Sequence, residues 1–251
     1  MAERRRSGTL NRGSNGGGGT IALLQAIGDQ ASVDTAAKAV GLSRKRAWDT
    51  VQALNNLFDR RVVITPATGS TGGGAQLTDL GDALIGVFRF FDDEMGGERP
   101  DGFLWSLSMK TSARNALAGT VDAVTDGAVN AEVSLDIGDG LKIIAVVTRD
   151  SVVDLGLKPG RRAVALIKSS FVILTPGDEA PRTSARNHLA GTIVRREDGA
   201  VNSEVVLELG PGRTLTAIVT QQSATALGLE VGVRACALIK ASHVILAVEG
   251  P

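Results

Sequence analysis

Five residues, Thr111-Ser112-Ala113-Arg114-Asn115, occur twice in this chain, returning as Thr183-Ser184-Ala185-Arg186-Asn187 at an offset of 72. The same offset carries the Asp-Gly-Ala-Val-Asn of 126–130 onto 198–202, Leu155-Gly156-Leu157 onto Leu227-Gly228-Leu229, and Leu166-Ile167-Lys168 onto Leu238-Ile239-Lys240. The polar groups that recur include hydroxyls and cations. Such groups donate hydrogen bonds, and bonds assisted by charge are the strong ones. An anion whose oxygens only accept is what they are suited to hold. The duplicated motif is therefore an anion site in outline, and an internal repeat has to be settled before any fold is assigned.

Two copies of one small module fill the chain from about residue 110 onward. In the first copy, 117–124 reads as a strand, Asp126-Gly127 turns into a second strand at 128–136, and Gly138-Asp139-Gly140 turns into a third at 142–147. A short helical turn at 148–155 is stopped by Gly156, and 164–168 with 171–174 completes five strands. About 70 residues with five strands and one helical insertion fits a small Greek-key barrel of the OB class. OB folds that bind oligonucleotides use an aromatic stacking platform. These copies have none: aromatics are 3% of the chain and tyrosine is absent.

The chain holds 251 residues, enough for one to three domains with their own cores. Its formal net charge is zero, but unevenly spread. Residues 1–78 carry ten Lys/Arg against five Asp/Glu, whereas 111–251 carry fourteen against fifteen. The basic excess thus lies at the N-terminal side, where a DNA-facing surface would put it. No apolar run approaches a membrane span and no signal peptide follows the basic start, so a cytoplasmic protein with no membrane partner is expected. The single Cys236, among alternating apolar residues, reads as a buried small hydrophobe.

Residues 1–19, with Arg4-Arg5-Arg6, Gly16 to Gly19 and almost nothing apolar, read as a disordered tail. Order is expected from Thr20, in a short helix built on Ile21, Leu23, Leu24 and Ile27 and stopped by Gly28. A second helix opens at Val33-Asp34-Thr35, its Ala36, Ala37 and Ala39 small enough for close packing. Gly41-Leu42-Ser43 makes a turn whose Ser43 is placed to cap a third helix at about 44–58, which begins Arg44-Lys45-Arg46. This is the sequence form of a helix-turn-helix, in which the first residues of the second helix reach base edges and phosphates. The DNA-binding set is Ser43, Arg44, Lys45, Arg46 and Trp48. The β-run Val62-Val63-Ile64, the glycine-rich loop 69–74 and the return strand Ala75-Gln76-Leu77 add a wing. Thr78 then caps a helix with Leu80, Ala83, Leu84, Val87, Phe88 and Phe91 on one stripe and Ile85 and Phe90 outside it. A helix apolar on several sides calls for self-association.

The fold class is accordingly α+β and multidomain. A disordered tail (1–19) precedes a winged helix-turn-helix for DNA binding and dimerisation (20–95), a linker (96–110) and two OB-like five-stranded modules (111–176 and 183–248). Residues 43–57 followed by Gly-Gly-Gly-Ala-Gln-Leu-Thr at 72–78 resemble the DNA-binding domain of the ModE family, the molybdate-responsive transcriptional regulators. The Thr-Ser-Ala-Arg-Asn, Gly-Ala-Val-Asn-x-Glu-Val and Ile-Lys-(Ser/Ala)-Ser motifs resemble the Mop module of molybdate-binding proteins. The resemblance covers 20–248, and the order of domains matches the regulator.

That resemblance implies a homodimer joined mainly through its N-terminal domains. Molybdate or tungstate is expected between Mop modules of the paired chains, altering the grip on operator DNA. The family's oxyanion residues fall on Ser112, Arg114, Thr148, Ser151, Lys168 and Ser169, and in the second copy on Ser184, Arg186, Thr220, Ser223 and Lys240. Position 169 becomes Ala241, with Ser242 next, which ranks the first copy as the better site. Thr148 and Ser151 start a helical turn, where free N–H groups favour an anion, and Asp150 is expected to point away. Arg114 and Lys168 also have a plainer reading as surface ion-pair partners, and Asn115 and Asn187 read as turn formers. His188 and His243 lack ligand spacing, and no nucleophile–base pair is present, so neither a metal cation nor an enzyme is expected. The other reading is a molybdate storage or buffering protein.

Overall fold

The first helix, α1 (Gly16–Gln30), buries Ile21, Leu23, Leu24 and Ile27. A computed structural model describes residues 16–58, 60–65, 74–94 and 111–249. The sequence-expected tail up to residue 15, the wing tip at 66–73 and the connection at 95–110 lie outside the described residues. Helix α1 differs from expectation at both ends, because it starts at Gly16 and runs through Gly28 instead of stopping there. Gly28 serves close packing: a Cβ there would stand 3.1 Å from Leu77 Cδ1. The helix stops at Ala31, whose φ of 50° is left-handed.

Ser32 caps α2 (Val33–Ala39), and the Ser43 hydroxyl caps α3 (Arg44–Leu57) by accepting from the Arg46 N–H at 3.2 Å. Strands β1 (Val63–Ile64) and β2 (Gln76–Leu77) pair antiparallel as the wing. Asn55, buried at the end of α3, accepts from the N–H groups of Val62 and Val63 and donates to the Val63 carbonyl, so the wing is tied to the helix it flanks. In α4 (Asp79–Glu94) the buried apolar side chains among the described residues are Leu84, Ile85 and Phe88. The expected stripe is thus rotated: Ile85, placed outside it, enters the core, while Val87, placed on it, is 39% exposed; Phe90, outside the stripe, is 54% exposed.

From Asn115 onward the chain forms two curled, five-stranded antiparallel sheets. The first copy contributes β3 (Asn115–Asp126), β4 (Asn130–Gly138), β5 (Leu141–Thr148), the six-residue α5 (Arg149–Asp154), β6 (Arg162–Ile167) and β7 (Ile173–Pro176). The second contributes β8 (Asn187–Asp198), β9 (Asn202–Gly210), β10 (Arg213–Thr220), α6 (Gln221–Ala226), β11 (Arg234–Ile239) and β12 (Ile245–Ala247). The sequence reading gave each copy its own fifth strand, and here the structure differs. Strand β7 pairs with β11 and β12 pairs with β6, so the copies exchange their last strands. Because the copies share one apolar pattern, a final strand is chemically acceptable to either sheet, and local sequence cannot choose between them. The exchange leaves one continuous core, running from Leu117, Val133 and Ile143 to Leu207, Leu215 and Leu246.

Both sheets curl at a repeated glycine. A Cβ on Gly119 would lie 2.4 Å from the Asp136 carbonyl oxygen, and one on Gly191 would lie 2.6 Å from that of Glu208. The pairing register slips just beyond, between Val121 and Ala123 and between Ile193 and Arg195. Cys236 is buried in β11, as expected of a small hydrophobe, and burial pushes its thiol pKa up. No helix among the described residues is long and apolar enough to cross a membrane.

Candidate functional site

The two Thr-Ser-Ala-Arg-Asn motifs each end on a buried asparagine that reaches into the opposite copy. Asn115 accepts from the Thr216 N–H at 2.7 Å and donates to the Thr216 carbonyl at 2.9 Å. Asn187 does the same to Ile144, at 2.6 and 2.9 Å. Both asparagines are first residues of strands, but their side chains span copies, so turn formation is not their role. The turns after β6 and β11 also meet: the rings of Phe171 and His243, equivalent positions in the repeat, lie 4.7 Å apart. The copies therefore face one another across a local two-fold relationship.

This geometry redistributes the sequence-predicted anion residues. Strand β3 pairs with β6 so that Asn115 opposes Ile167, which sets Arg114 and Lys168 at one end of the first sheet. Arg186 and Lys240 occupy the matching end of the second, where Asn187 opposes Ile239. The Thr148 and Thr220 hydroxyls cap α5 and α6, each accepting from the serine N–H three residues on at 3.1 Å and lying 2.8 Å from that serine's hydroxyl. Because of the cross-copy asparagines, the end bearing Arg186 and Lys240 lies against β5, which terminates in Thr148. The end bearing Arg114 and Lys168 lies against β10, which terminates in Thr220. Ser112, Ser184 and Ser242 are exposed, as is Asp150, whereas Ser169 is buried at the start of its 3-10 turn.

Both arginines already hold carboxylates, and here the copies part. Arg186 forms a fork on Glu132, at 2.7 and 3.0 Å. Glu132 is registered with Val146 on β5, two residues before Thr148. By the repeat, Arg114 would bind Glu204. Instead it binds Asp49 of α3 at 3.1 Å, while Glu204 is taken by Lys45 of α3 at 2.6 Å and by Arg195 at 2.9 Å. Among the described residues, Lys168 and Lys240 have no ion-pair partner.

Helix α3 thus meets the modules along a stripe. Lys45 also binds Glu197 at 2.9 Å, and Asp49 also binds Arg195 at 3.0 Å. One helical turn and more further on, Asn56 accepts from the Thr214 N–H at 2.8 Å and donates to its carbonyl at 2.9 Å. The buried Arg213 donates to the Asn56 carbonyl at 2.7 Å, and Arg61 binds Glu208 at 2.9 Å. Burial pulls the Lys45 pKa down, but hydrogen bonds to Glu204 and Glu197 outweigh it and the net shift is upward. The hydrogen bond from Lys45 holds the Glu197 carboxyl below its usual range, against the opposing push of desolvation. Of the other residues assigned to DNA, Arg44 pairs with Asp34 at 3.0 Å and the Trp48 indole N–H donates to the same carboxylate at 2.9 Å. Arg46 remains exposed, beside a cavity of about 550 Å³ between α3 and the modules.

The TOBE domain family matches the chain twice, at residues 111–174 and 183–246. The molybdenum-pterin-binding protein MopA of Rhodobacter capsulatus is 48% identical over 92% of this chain and 92% of its own length. The molybdenum transport protein ModE of Azotobacter vinelandii is 41% identical over 92% of this chain and 91% of its own. The DNA-binding transcriptional dual regulator ModE of Escherichia coli K12 is 33% identical over 90% and 91%. The chain belongs to the ModE family. Among solved structures, the cytoplasmic molybdate-binding protein ModG with molybdate bound superposes with a TM-score of 0.54 at 48% identity, covering 56% of this chain and 99% of that one.

Within this ModE-family chain, sequence reasoning missed the partners of the arginines. Glu132 and Glu204 had a usable signal, since both sit in the repeated Asn-x-Glu-Val and share the offset of the arginines. Asp49, Asn56 and Arg195 had no repeat to mark them. Their roles exist only because α3 docks across both copies, on β3 and on β10.

Proposed function

We propose that this chain is a molybdate-responsive, DNA-binding transcriptional regulator. The observation that carries it is the union, in one chain, of a helix-turn-helix with a wing and two modules whose arginines and lysines gather at sheet ends. Relatives named as a molybdenum transport protein and as a DNA-binding transcriptional regulator match over 90% or more of the chain, and a protein named as molybdate-binding matches 56% of it. Molybdate is a tetrahedral dianion near neutral pH whose oxygens accept hydrogen bonds. The residues present fit it: the Arg186 fork already grips two carboxylate oxygens, and Lys240, with no ion-pair partner among the described residues, stands on the same end of the sheet.

The exchanged architecture suggests which residues act together. Arg186 and Lys240 would share an oxyanion with Thr148 and Ser151, and Arg114 and Lys168 with Thr220 and Ser223, each set drawing on both copies. Bound anion would displace the carboxylate from the arginine and tie the copies more firmly. The exposed Val87 and Phe90 of α4 supply an apolar face for pairing two chains, and a dimer presents two recognition helices to an operator with matching half-sites. Calorimetry with molybdate, tungstate, sulfate and phosphate tests the ligand. Molybdate should bind well ahead of sulfate; equal binding of the two would overturn a molybdate-specific role.

A further inference from the structure

We propose that the recognition helix α3 is latched across the junction of the two modules, on β3 of the first and β10 of the second, and that the latch and the oxyanion site share Arg114. The inference rests on the regulator reading above and adds how the site would control the helix.

The comparison of copies carries the argument. Away from α3, the motif arginine of one copy binds the motif glutamate of the other, Arg186 to Glu132. Beside α3, both members of the equivalent pair have been taken by the helix. Lys45 occupies Glu204, and Asp49 occupies Arg114. Asp49 and Glu204 are joined through Arg195, so the four groups of the two pairs form one network and not isolated surface pairs. Arg195 stands where the first copy has Ala123, which is why only the second copy can build this network. The carboxylates are largely withdrawn from solvent, with side-chain exposures of 14% for Glu204 and 22% for Asp49. Below the network, Asn56 closes the helix onto β10 through two hydrogen bonds to Thr214.

Lys45 lies in the first turn of the recognition helix, where a groove-reading residue belongs. With its ammonium on Glu197 and Glu204, that residue faces protein and the helix is covered along the same stripe. In this arrangement the Lys45 ammonium is committed to two carboxylates and is not available to a phosphate or base edge. An oxyanion at the first-copy motif needs the Arg114 guanidinium, and it can recruit that group only by taking it from Asp49. Anion capture therefore removes one of the contacts that hold α3, and release of α3 frees Arg114 for the anion. Each event favours the other, as reciprocal linkage requires. The latch predicts the sign of the response: oxyanion strengthens DNA binding.

The test uses the full chain and the double variant Glu197→Gln with Glu204→Gln, which frees Lys45 from the module side of the latch and replaces neither a DNA-reading residue nor a member of the anion set. Operator affinity is measured by fluorescence anisotropy with and without molybdate, and molybdate affinity by calorimetry. The variant should bind operator about fivefold or more tightly in the absence of molybdate, and molybdate itself should bind more tightly by a similar factor, within the usual range of allosteric coupling. A variant matching the wild-type chain in both affinities overturns the latch while leaving the regulator reading standing. A wild-type chain that binds molybdate with no change in operator affinity overturns the regulator reading and the latch with it. Hydrogen exchange on the wild-type chain gives an independent readout. The Thr214 amide, held by Asn56, should lose protection when operator and molybdate are added, and retained protection would count against release of α3.

Discussion

Asn56 grips Thr214 with the same two hydrogen bonds that Asn115 makes to Thr216, two residues further along β10. One asparagine belongs to α3 and the other to the repeated Thr-Ser-Ala-Arg-Asn motif. Both complete the outer edge of a single strand, which lies last in its sheet. An asparagine side chain offers one acceptor and one donor in the spacing of a backbone amide, so it can stand in for a neighbouring strand. The edge of β10 is thereby shared between the two parts of the molecule that a ligand signal would have to connect.

Asn115→Ala leaves the Thr216 N–H and carbonyl without their partners in a partly buried setting. The expected loss is ~1–3 kcal/mol of unfolding free energy, read by urea denaturation, and Asn187→Ala should cost a similar amount through Ile144. Asn56→Ala should behave differently. It should loosen the helix from β10 and raise proteolytic sensitivity around α3, while the sheets unfold at nearly the wild-type denaturant concentration.

Gly119→Ala pushes a methyl group against the Asp136 carbonyl, which the backbone can relieve only by opening the curl of the sheet. Overpacking of this kind costs ~1–3 kcal/mol, and Gly191→Ala should match it. A melting temperature unchanged in both variants would show that the curl tolerates a side chain.

Arg186→Ala and Lys168→Ala probe the two crossed sets separately. Each removes one charge-assisted donor worth roughly 1.5–3 kcal/mol, so molybdate affinity at the corresponding set should fall about tenfold to a hundredfold by calorimetry. Operator binding without molybdate should persist in Lys168→Ala, because among the described residues that lysine makes no hydrogen bond or ion pair with α3.

Arg46 is exposed at the start of α3 and makes no ion pair among the described residues. Arg46→Ala should weaken operator binding and reduce the slope of log affinity against log salt by about one unit. A slope identical to that of the wild-type chain would place Arg46 away from the phosphates.

Much of this architecture is legible in the sequence because it is local or repeated. Ser43 caps α3, the Val63 and Leu77 runs pair as a wing, and the offset of 72 marks two equivalent modules. What sequence could not supply are the choices between equivalent partners. The exchange of β7 and β12 trades like for like, so no residue announces it. Asn115 and Asn187 looked like turn residues because their true partners lie about a hundred and about forty positions away. The rotation of α4, which buries Ile85 and exposes Val87, depends on packing against α1 and not on the helix's own periodicity. The carboxylate partners of the arginines depend on where α3 rests, which is a tertiary fact.

The most direct test of the central claim is the operator affinity of the full chain measured across a molybdate titration, with sulfate as the matched control. Operator affinity should rise as molybdate is added, saturate with the calorimetric binding curve, and stay flat in sulfate. An operator affinity indifferent to molybdate, in a chain that calorimetry shows to bind it, would rule out control of DNA binding by the anion.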